Sequence, residues 1–279
     1  FSVMFLLRAY RSGERKRCVF LCALCGLTLC AGSLFRGVAP LYLAAYVIGI
    51  GVVFARGRRL RSIAAVLLSF GVLWQGVSLS LLASGVTSYR LEEGATPLSL
   101  FFLIGFNFET HGMFSAEDHQ IYFEAGGDKE KMEDMIWDRL GQRLKENGGK
   151  IVEHLWRKTQ ILWADGDFAG CYWSYDMRGT DGEKPHLALF YALGRIFYLA
   201  LLLGAIYFVF ARRKDGSICL LGLILLGFEG AYLLLEVQPR YTFSAAYVFA
   251  VLGAAGIHAL LEDTRQAGAK KTENVAKQK

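Results

Sequence analysis

The sequence predicts an all-α protein: a polytopic transmembrane helical bundle with an extracytoplasmic helical block of ~100 residues. Three observations predict this class. The 279 residues are 54% apolar, and most apolar side chains lie in long continuous runs. Eighteen of the 25 Asp and Glu residues lie in one central block, 86–185. The Lys and Arg residues cluster beside the apolar runs, so they do not indicate nucleic-acid binding. Together, these distributions exclude an ordinary soluble domain and a disordered chain.

Six apolar runs are long enough, or nearly so, to cross a bilayer, since a spanning helix needs about 20 mostly apolar residues. In chain order they are 18–35, 38–55, 63–86, 187–210, 217–236 and 241–261. The first seven residues, FSVMFLL, look like the end of another span, and the chain begins with Phe rather than Met. We therefore expect a fragment or a processed form of a longer protein.

The runs divide the chain into four regions. Residues 1–85 hold the end of one span and two to three further spans, 86–185 form the extracytoplasmic block, 186–261 hold three spans, and 262–279 form a polar, basic tail. We expect the tail to be disordered, because it offers few apolar side chains to bury.

Positive charge predicts the orientation of the spans. Basic stretches at 8–17, 55–61, 211–214 and from 265 onward carry five, four, three and five Lys or Arg residues. All four lie on one side of the membrane if the six runs cross alternately, and loops rich in Lys and Arg remain in the cytoplasm. The sequence therefore predicts a multi-pass plasma-membrane protein with a cytoplasmic C-terminus and an outer block at 86–185.

The outer block contains signals for short amphipathic helices. The segment Ser115–Asp118 is a capping box that predicts a helix start. A longer helix is predicted from Asp128 to the glycine pair at 148–149, because apolar residues recur there at spacings of three and four: Met132, Met135, Ile136, Leu140 and Leu144. Another helix is predicted to follow, with one apolar side formed by Ile151, Leu155 and Leu162.

Aromatic residues are enriched before the fourth apolar run: Trp156, Trp163, Tyr172, Trp173 and Tyr175. Aromatic side chains next to a span usually lie at the level of the lipid headgroups. We therefore expect the outer helices to lie on or near the outer membrane surface rather than to form an independent globular domain.

Charged residues inside apolar runs are costly, and they are candidate functional residues. Glu229 lies midway along the fifth run, and Glu236 lies two helical turns later. Arg240 follows at the outer mouth after Pro239, and Arg195 lies in the outer half of the fourth run. One outward-facing site with two carboxylates and two guanidinium groups is one interpretation. The alternatives are a hydrogen bond from a neighbouring helix to Glu229 and simple neutralisation of Glu236 by an arginine.

A second candidate site is the loop at 105–120, which is rich in polar side chains: Asn107, Glu109, His111, Glu117, Asp118 and His119. Carboxylates and imidazoles together suit acid–base chemistry or metal binding, although their spacing matches no tight zinc motif. A substrate-facing loop, a structural turn and a metal site are the open interpretations. Five of the six cysteines lie in apolar runs, where small-residue packing is expected rather than a metal site or disulfides. We expect no cofactor.

Three sequence segments resemble a known enzyme family. The run at 233–257, with Glu236, Arg240 and Tyr241, is similar to the C-terminal signature of bacterial GT-C membrane glycosyltransferases of the protein-O-mannosyltransferase-like group. The segment from Gly105 to Asp118 resembles an outer-loop segment of Gram-positive members, as does a later pattern formed by Lys158, Trp163, Asp165 and Gly166. The resemblance identifies the chain with the C-terminal half of such an enzyme.

The resemblance implies transfer of a sugar from a polyprenyl-phosphate donor to an acceptor on the outer face of a bacterial plasma membrane. Arg240 is the best candidate for the donor phosphate, and Arg195 is the second, because guanidinium groups bind phosphate through forked hydrogen bonds. The other substrate-binding candidates are Glu236, Tyr241, Asn107, His111, Glu117 and Asp118. The family's catalytic acid is expected upstream of this chain, so no catalytic residue is assigned and the fragment alone is expected to be inactive.

Two other classes of function remain open. A lipid-linked sugar flippase or a secondary transporter is favoured by a carboxylate at mid-membrane, namely Glu229. A membrane-anchored assembly protein would use the outer block to bind a partner, and that block would then be expected to fold alone in water.

Overall fold

A computed structural model of the protein describes residues 1–35, 37–93, 96–164, 166, 170 and 187–277. Throughout these residues the regular structure is helical, which confirms the all-α class. Five of the described helices contain a segment long and apolar enough to cross a membrane: Arg15–Ser33, Arg56–Ala83, Ala188–Ala211, Gly216–Leu234 and Pro239–Gly268. The chain is therefore a multi-pass membrane protein.

The first part of the chain contains four helices: α1 (Ser2–Arg11), α2 (Arg15–Ser33), α3 (Ala39–Val53) and α4 (Arg56–Ala83). The predicted second span corresponds to α3, which has only 15 residues and is shorter than a typical spanning helix. Helices α2 and α4 approach closely at Gly26, where a Cβ atom would overlap Ser69 and the Val66 backbone. The predicted packing of cysteines inside a span is confirmed, because Cys18, Cys22, Cys25 and Cys30 are buried free thiols.

The outer block begins with a 3-10 turn, Leu91–Glu93, and continues with α5 (Leu98–Gly105), α6 (Ala116–His119), α7 (Ile121–Glu124), α8 (Lys129–Asn147), a 3-10 turn (Gly148–Lys150) and α9 (Ile151–Trp163). The predicted capping is confirmed, since the Asp118 amide donates to Ser115 Oγ at 3.2 Å. Helix α8 begins after Asp128, whose carboxylate accepts from two backbone amides, and it ends at the predicted glycine pair.

Helices α5 to α8 bury apolar side chains in a common core: Leu100, Leu103, Ile104, Phe106, Ile121, Ala125, Met132, Ile136 and Leu140. The outer helices thus pack on one another, and their predicted place on the membrane surface stays a prediction. Among the predicted interfacial aromatics, Trp156 is exposed and Trp163 packs edge-on against Phe249. Tyr172, Trp173, Tyr175 and Cys171 lie outside the described residues.

The remaining helices are α10 (Leu187–Ala211), α11 (Gly216–Leu234) and α12 (Ala246–Lys277), with a 3-10 helix, Pro239–Ala245, before α12. The predicted disorder of the tail is wrong, because α12 continues to Lys277. The tail is rich in Ala, Glu, Gln and Lys, which are good helix formers.

The chain divides into two compact units. The first unit comprises Phe1–Ile161 and Cys219–Gln238, and the second comprises Leu162–Ile218 and Pro239–Lys279. Within the second unit, α10 and α12 approach so closely that Cβ atoms at Gly204, Gly253 or Gly256 would overlap the backbone of the facing helix.

Candidate functional site

Lys158 joins three parts of the first unit through one buried ammonium group. It lies on α9 and has no exposed surface. Its Nζ atom donates hydrogen bonds to the carbonyl oxygens of Gly105 at 2.8 Å, Leu233 at 2.9 Å and Leu235 at 2.7 Å. These carbonyls lie at the C-terminal ends of α5 and α11, where helices leave carbonyl groups without intrahelical partners and carry partial negative charge. Lys158 therefore caps two helices at once.

Burial governs the protonation of this cluster. It lowers the pKa of Lys158 to about 7. The three carbonyl acceptors favour the ammonium form, because a neutral amine has only two N–H donors. His154, one turn earlier on α9, donates from Nε2 to the same Gly105 carbonyl at 2.9 Å. Burial lowers the pKa of His154 below its usual value, and the charge of Lys158 adds to this effect.

Two glycines allow the chain to approach Lys158. A Cβ atom at Gly105 would overlap the backbone of Leu234 and Leu235. Gly112 has a φ of +79°, and a Cβ atom there would lie 2.8 Å from the Gly105 oxygen and 2.9 Å from Lys158 Cε. Both positions therefore need glycine. The Val237 amide donates to the Gly112 carbonyl at 2.8 Å, which ties this loop to the segment after α11.

Asn107 and Asp118, two of the predicted substrate-binding residues, belong to a buried polar network. Asn107 Nδ2 donates to Asp118 Oδ2 at 3.0 Å. Arg143 on α8 donates to both Asp118 oxygens, at 2.9 and 2.6 Å, and also to the Leu103 carbonyl. The carboxylate is fully buried and its oxygens are occupied by these bonds, which favours a structural role for this pair.

A polar cleft of about 390 Å³ opens beside this network in the first unit. We call it the outer-loop cleft, and it is lined by Phe108, Glu109, His111, Asn147, Lys150, Glu153, His154 and Arg157. The predicted substrate-binding residue His111 is thus placed at a cavity, with a positive φ of 54°. The ring of Phe108 lies 4.4 Å from that of His154 between centroids. Glu117 is exposed and does not line this cleft.

His154 is buried beside the cleft, and one of its ring nitrogens lacks a hydrogen-bond partner among the described residues. Only 3% of the residue is exposed, and Nδ1 has no hydrogen-bond partner in the part of the chain that the structure describes. Because Nε2 carries the proton that is donated to Gly105, Nδ1 of the neutral ring is an acceptor. The cleft therefore combines two carboxylates, two imidazoles, two cations and an aromatic ring.

Glu236 departs from the position that the sequence predicts. Helix α11 ends at Leu234, so Glu236 lies beyond it and the predicted two-turn alignment with Glu229 is wrong. After Leu234 the backbone bonds to α5 instead of continuing the helix, because the Glu236 amide donates to the Phe101 carbonyl at 2.9 Å. The side chain is buried, and Gln238 Nε2 donates to its Oε1 at 2.5 Å.

Glu229 lies five residues before the end of α11 rather than midway along the helix. Thr159 Oγ1, on α9, donates to its Oε1 at 2.5 Å. This contact confirms the alternative in which a neighbouring helix provides a hydrogen bond to Glu229.

The other predicted residues lie in the second unit. Arg195 is exposed on α10. Arg240 and Tyr241 lie in the 3-10 helix before α12, with Arg240 Cζ 5.8 Å from the centroid of the Tyr241 ring. Thr242 Oγ1 holds this segment by donating to the Leu162 carbonyl. The grouping of two carboxylates with two arginines stays a prediction.

The sequence alone does not indicate the roles of His154 and Arg143, and it points to Lys158 only through the family resemblance. The available signal was three polar residues, His154, Lys158 and Thr159, on an otherwise apolar helix face. No group of three or more His, Cys, Asp or Glu side chains in the described ranges is arranged to bind a metal ion. Comparison of the chain with family models, characterised proteins and solved structures gave no match.

Proposed function

We propose that this chain is the C-terminal part of a membrane glycosyltransferase of the GT-C type, which passes a sugar from a polyprenyl-phosphate donor to an acceptor on the outer face of a bacterial plasma membrane. The observation that carries the proposal is the outer-loop cleft. Part of its lining, namely Phe108, Glu109 and His111, belongs to the loop at 105–120, for which a substrate-facing role is one of the interpretations of the sequence. The C-terminus would be cytoplasmic, in accord with the basic stretches.

The chemistry of the cleft suits a sugar. Glu109 and Glu153 offer carboxylate oxygens to sugar hydroxyls. Phe108 offers an apolar ring, which suits the C–H face of a sugar. Lys150 and Arg157 add hydrogen-bond donors for the hydroxyl oxygens of a sugar.

The reaction forms a bond between sugar C1 and an acceptor oxygen and breaks the bond from C1 to the phosphate oxygen. The acceptor proton passes to a base, expected upstream of this chain, and the polyprenyl phosphate leaves. Arg240 is proposed to bind the donor phosphate, with Arg195 as second candidate. Glu236 is proposed to contact the acceptor.

The test uses membrane vesicles from cells that express the complete reading frame, so that natural acceptors are present. A panel of undecaprenyl-phosphate-linked hexoses and pentoses is added, and the undecaprenyl phosphate formed is measured by mass spectrometry. Replacing both Glu109 and Glu153 by Gln is expected to lower turnover at least about tenfold. The matched control replaces Asp134 and Asp138, exposed carboxylates on α8, by Asn. Equal turnover in both variants would contradict the role of the cleft.

A membrane-anchored assembly protein is the second candidate. The apolar core shared by α5 to α8 favours it, because such a block can keep its shape while binding a partner. Two results together would favour this alternative. The outer block would still fold when the cleft carboxylates are neutralised, and no form of the protein would consume the sugar donor. A transport function has less support, because Glu229 lies near a helix end and accepts a bond from Thr159.

A further inference from the structure

A second cavity lies in the first unit, at the turn between α1 and α2. Its volume is about 610 Å³, and it is lined by Arg8, Arg11, Ser12, Gly13, Glu14, Arg17 and Leu21. Three arginines and one carboxylate surround it, so positive charge dominates. The glycosyltransferase proposal does not use this cavity, and the orientation predicted from the sequence places it on the cytoplasmic side.

The turn that forms this cavity is held in place. Arg58, on α4, donates to the carbonyl oxygens of Ser12 and Gly13, at 2.5 Å each. Arg15 donates to the Gly57 carbonyl at 3.4 Å. Arg8 and Arg11, at the end of α1, and Arg17, in the first turn of α2, therefore flank a turn that is fixed against α4.

Two further features favour an anion. Helix α2 begins at Arg15, and its N-cap residue, Glu14, makes no side-chain capping hydrogen bond. The positive end of the α2 dipole thus adds to the arginine charges. The neighbouring surface is apolar, since Leu21 lines the cavity and Phe20 is 62% exposed. A ligand with a negative phosphate and an attached acyl chain matches both surfaces.

We propose that the cavity formed by Arg8, Arg11 and Arg17 at the α1–α2 turn binds a phosphate group at the membrane–water interface, as carried by the headgroup of an anionic phospholipid. Arginine forks bind phosphate oxygens in pairs. Basic pockets beside transmembrane helices on the cytoplasmic side are suited to anionic headgroups.

The test measures binding to the purified chain in detergent by native mass spectrometry, with dioleoyl phosphatidylglycerol as the lipid. Phosphatidylcholine, which carries a phosphate but no net charge, is the reference lipid, and inorganic phosphate is the soluble probe. The test variant is Arg8→Gln with Arg17→Gln. The control is Arg56→Gln with Arg61→Gln, which removes two exposed charges from α4 outside the cavity. Size-exclusion chromatography checks that each variant is folded. A further variant, Arg8→Lys with Arg17→Lys, keeps the positive charge and replaces the Gln variant if that one does not fold.

We expect phosphatidylglycerol to bind at least about tenfold more weakly to the test variant, and the control to remain within about twofold of wild type. The lysine variant should bind with intermediate strength. Inorganic phosphate that binds as tightly as the lipid would identify a free phosphate as the ligand and overturn the lipid headgroup. Equal weakening in the test and control variants, or no preference over phosphatidylcholine, would overturn the site itself.

Discussion

The side chain of Lys158 reaches the carbonyl oxygen of Leu235, 2.7 Å from Nζ, although the two residues lie 77 positions apart in the chain. This bond fixes α9 to the end of α11, and the accompanying bond to Gly105 fixes it to α5. Since His154, Glu153 and Arg157 lie on the same helix, the position of Lys158 sets one wall of the outer-loop cleft.

Replacing Lys158 by Met should destabilise the protein by about 3 kcal/mol or more, because three carbonyl oxygens would lose their shared donor in a buried place. Thermal unfolding in detergent measures this effect. Lys145→Gln, at an exposed position on α8, is the control and should change stability little. A Lys158→Met variant as stable as this control would show that the cap is dispensable.

Stability should also depend on pH through Lys158. Burial lowers the pKa of this group from 10.5 to about 7, so between these values the unfolded chain binds more protons than the folded chain. Wild type should therefore gain stability relative to Lys158→Met as the pH rises from 7 to 10. Unfolding temperatures of both proteins across this range provide the measurement. A constant difference would mean that the three carbonyls keep the ammonium charged throughout.

Gly112→Ala should cost more than about 1 kcal/mol, because the backbone φ of +79° and the contacts with Gly105 and Lys158 leave no room for a Cβ atom. Gly141→Ala offers a comparison inside α8, where a Cβ atom meets open space. That change should stabilise the protein by about 0.5–1 kcal/mol. Denaturation of the two variants side by side should give opposite signs, and equal signs would refute the proposed backbone requirement.

Thr159 and Glu229 should be energetically coupled. Thr159→Val keeps the shape of the side chain but removes the donor to Glu229, at a cost of about 1 kcal/mol. A double-mutant cycle with Glu229→Met, which removes the acceptor oxygen, should give a coupling of about 0.5–3 kcal/mol. Additive effects of the two substitutions would place Glu229 outside this contact.

Several helices were predictable because each of them has a local signal in the sequence. Apolar length marks α2 and α4, and the cap at Ser115 and the spacing from Met132 to Leu140 mark the outer helices. The length of α11 was not predictable in the same way. Its end at Leu234 depends on bonds to α5 and Gly112, which are distant in sequence.

The candidate site was only partly predictable for a similar reason. His111 could be selected because its loop is rich in polar side chains, and it lines the outer-loop cleft. The buried bond from Arg143 to Asp118 joins two helices, and no local pattern relates a surface-like arginine to a carboxylate 25 positions earlier. Long-range pairing of this kind requires the fold.

The central claim, sugar transfer by the protein that contains this chain, is tested most directly by neutralising Arg240. Vesicles that carry the complete protein with Arg240→Gln are compared with vesicles that carry Arg213→Gln, which removes an exposed charge from the same unit. We expect Arg240→Gln to abolish release of undecaprenyl phosphate from its sugar-linked donor while the protein stays folded and inserted, and Arg213→Gln to retain it. Unchanged release after the loss of Arg240, or no release from any form, would contradict the proposed function.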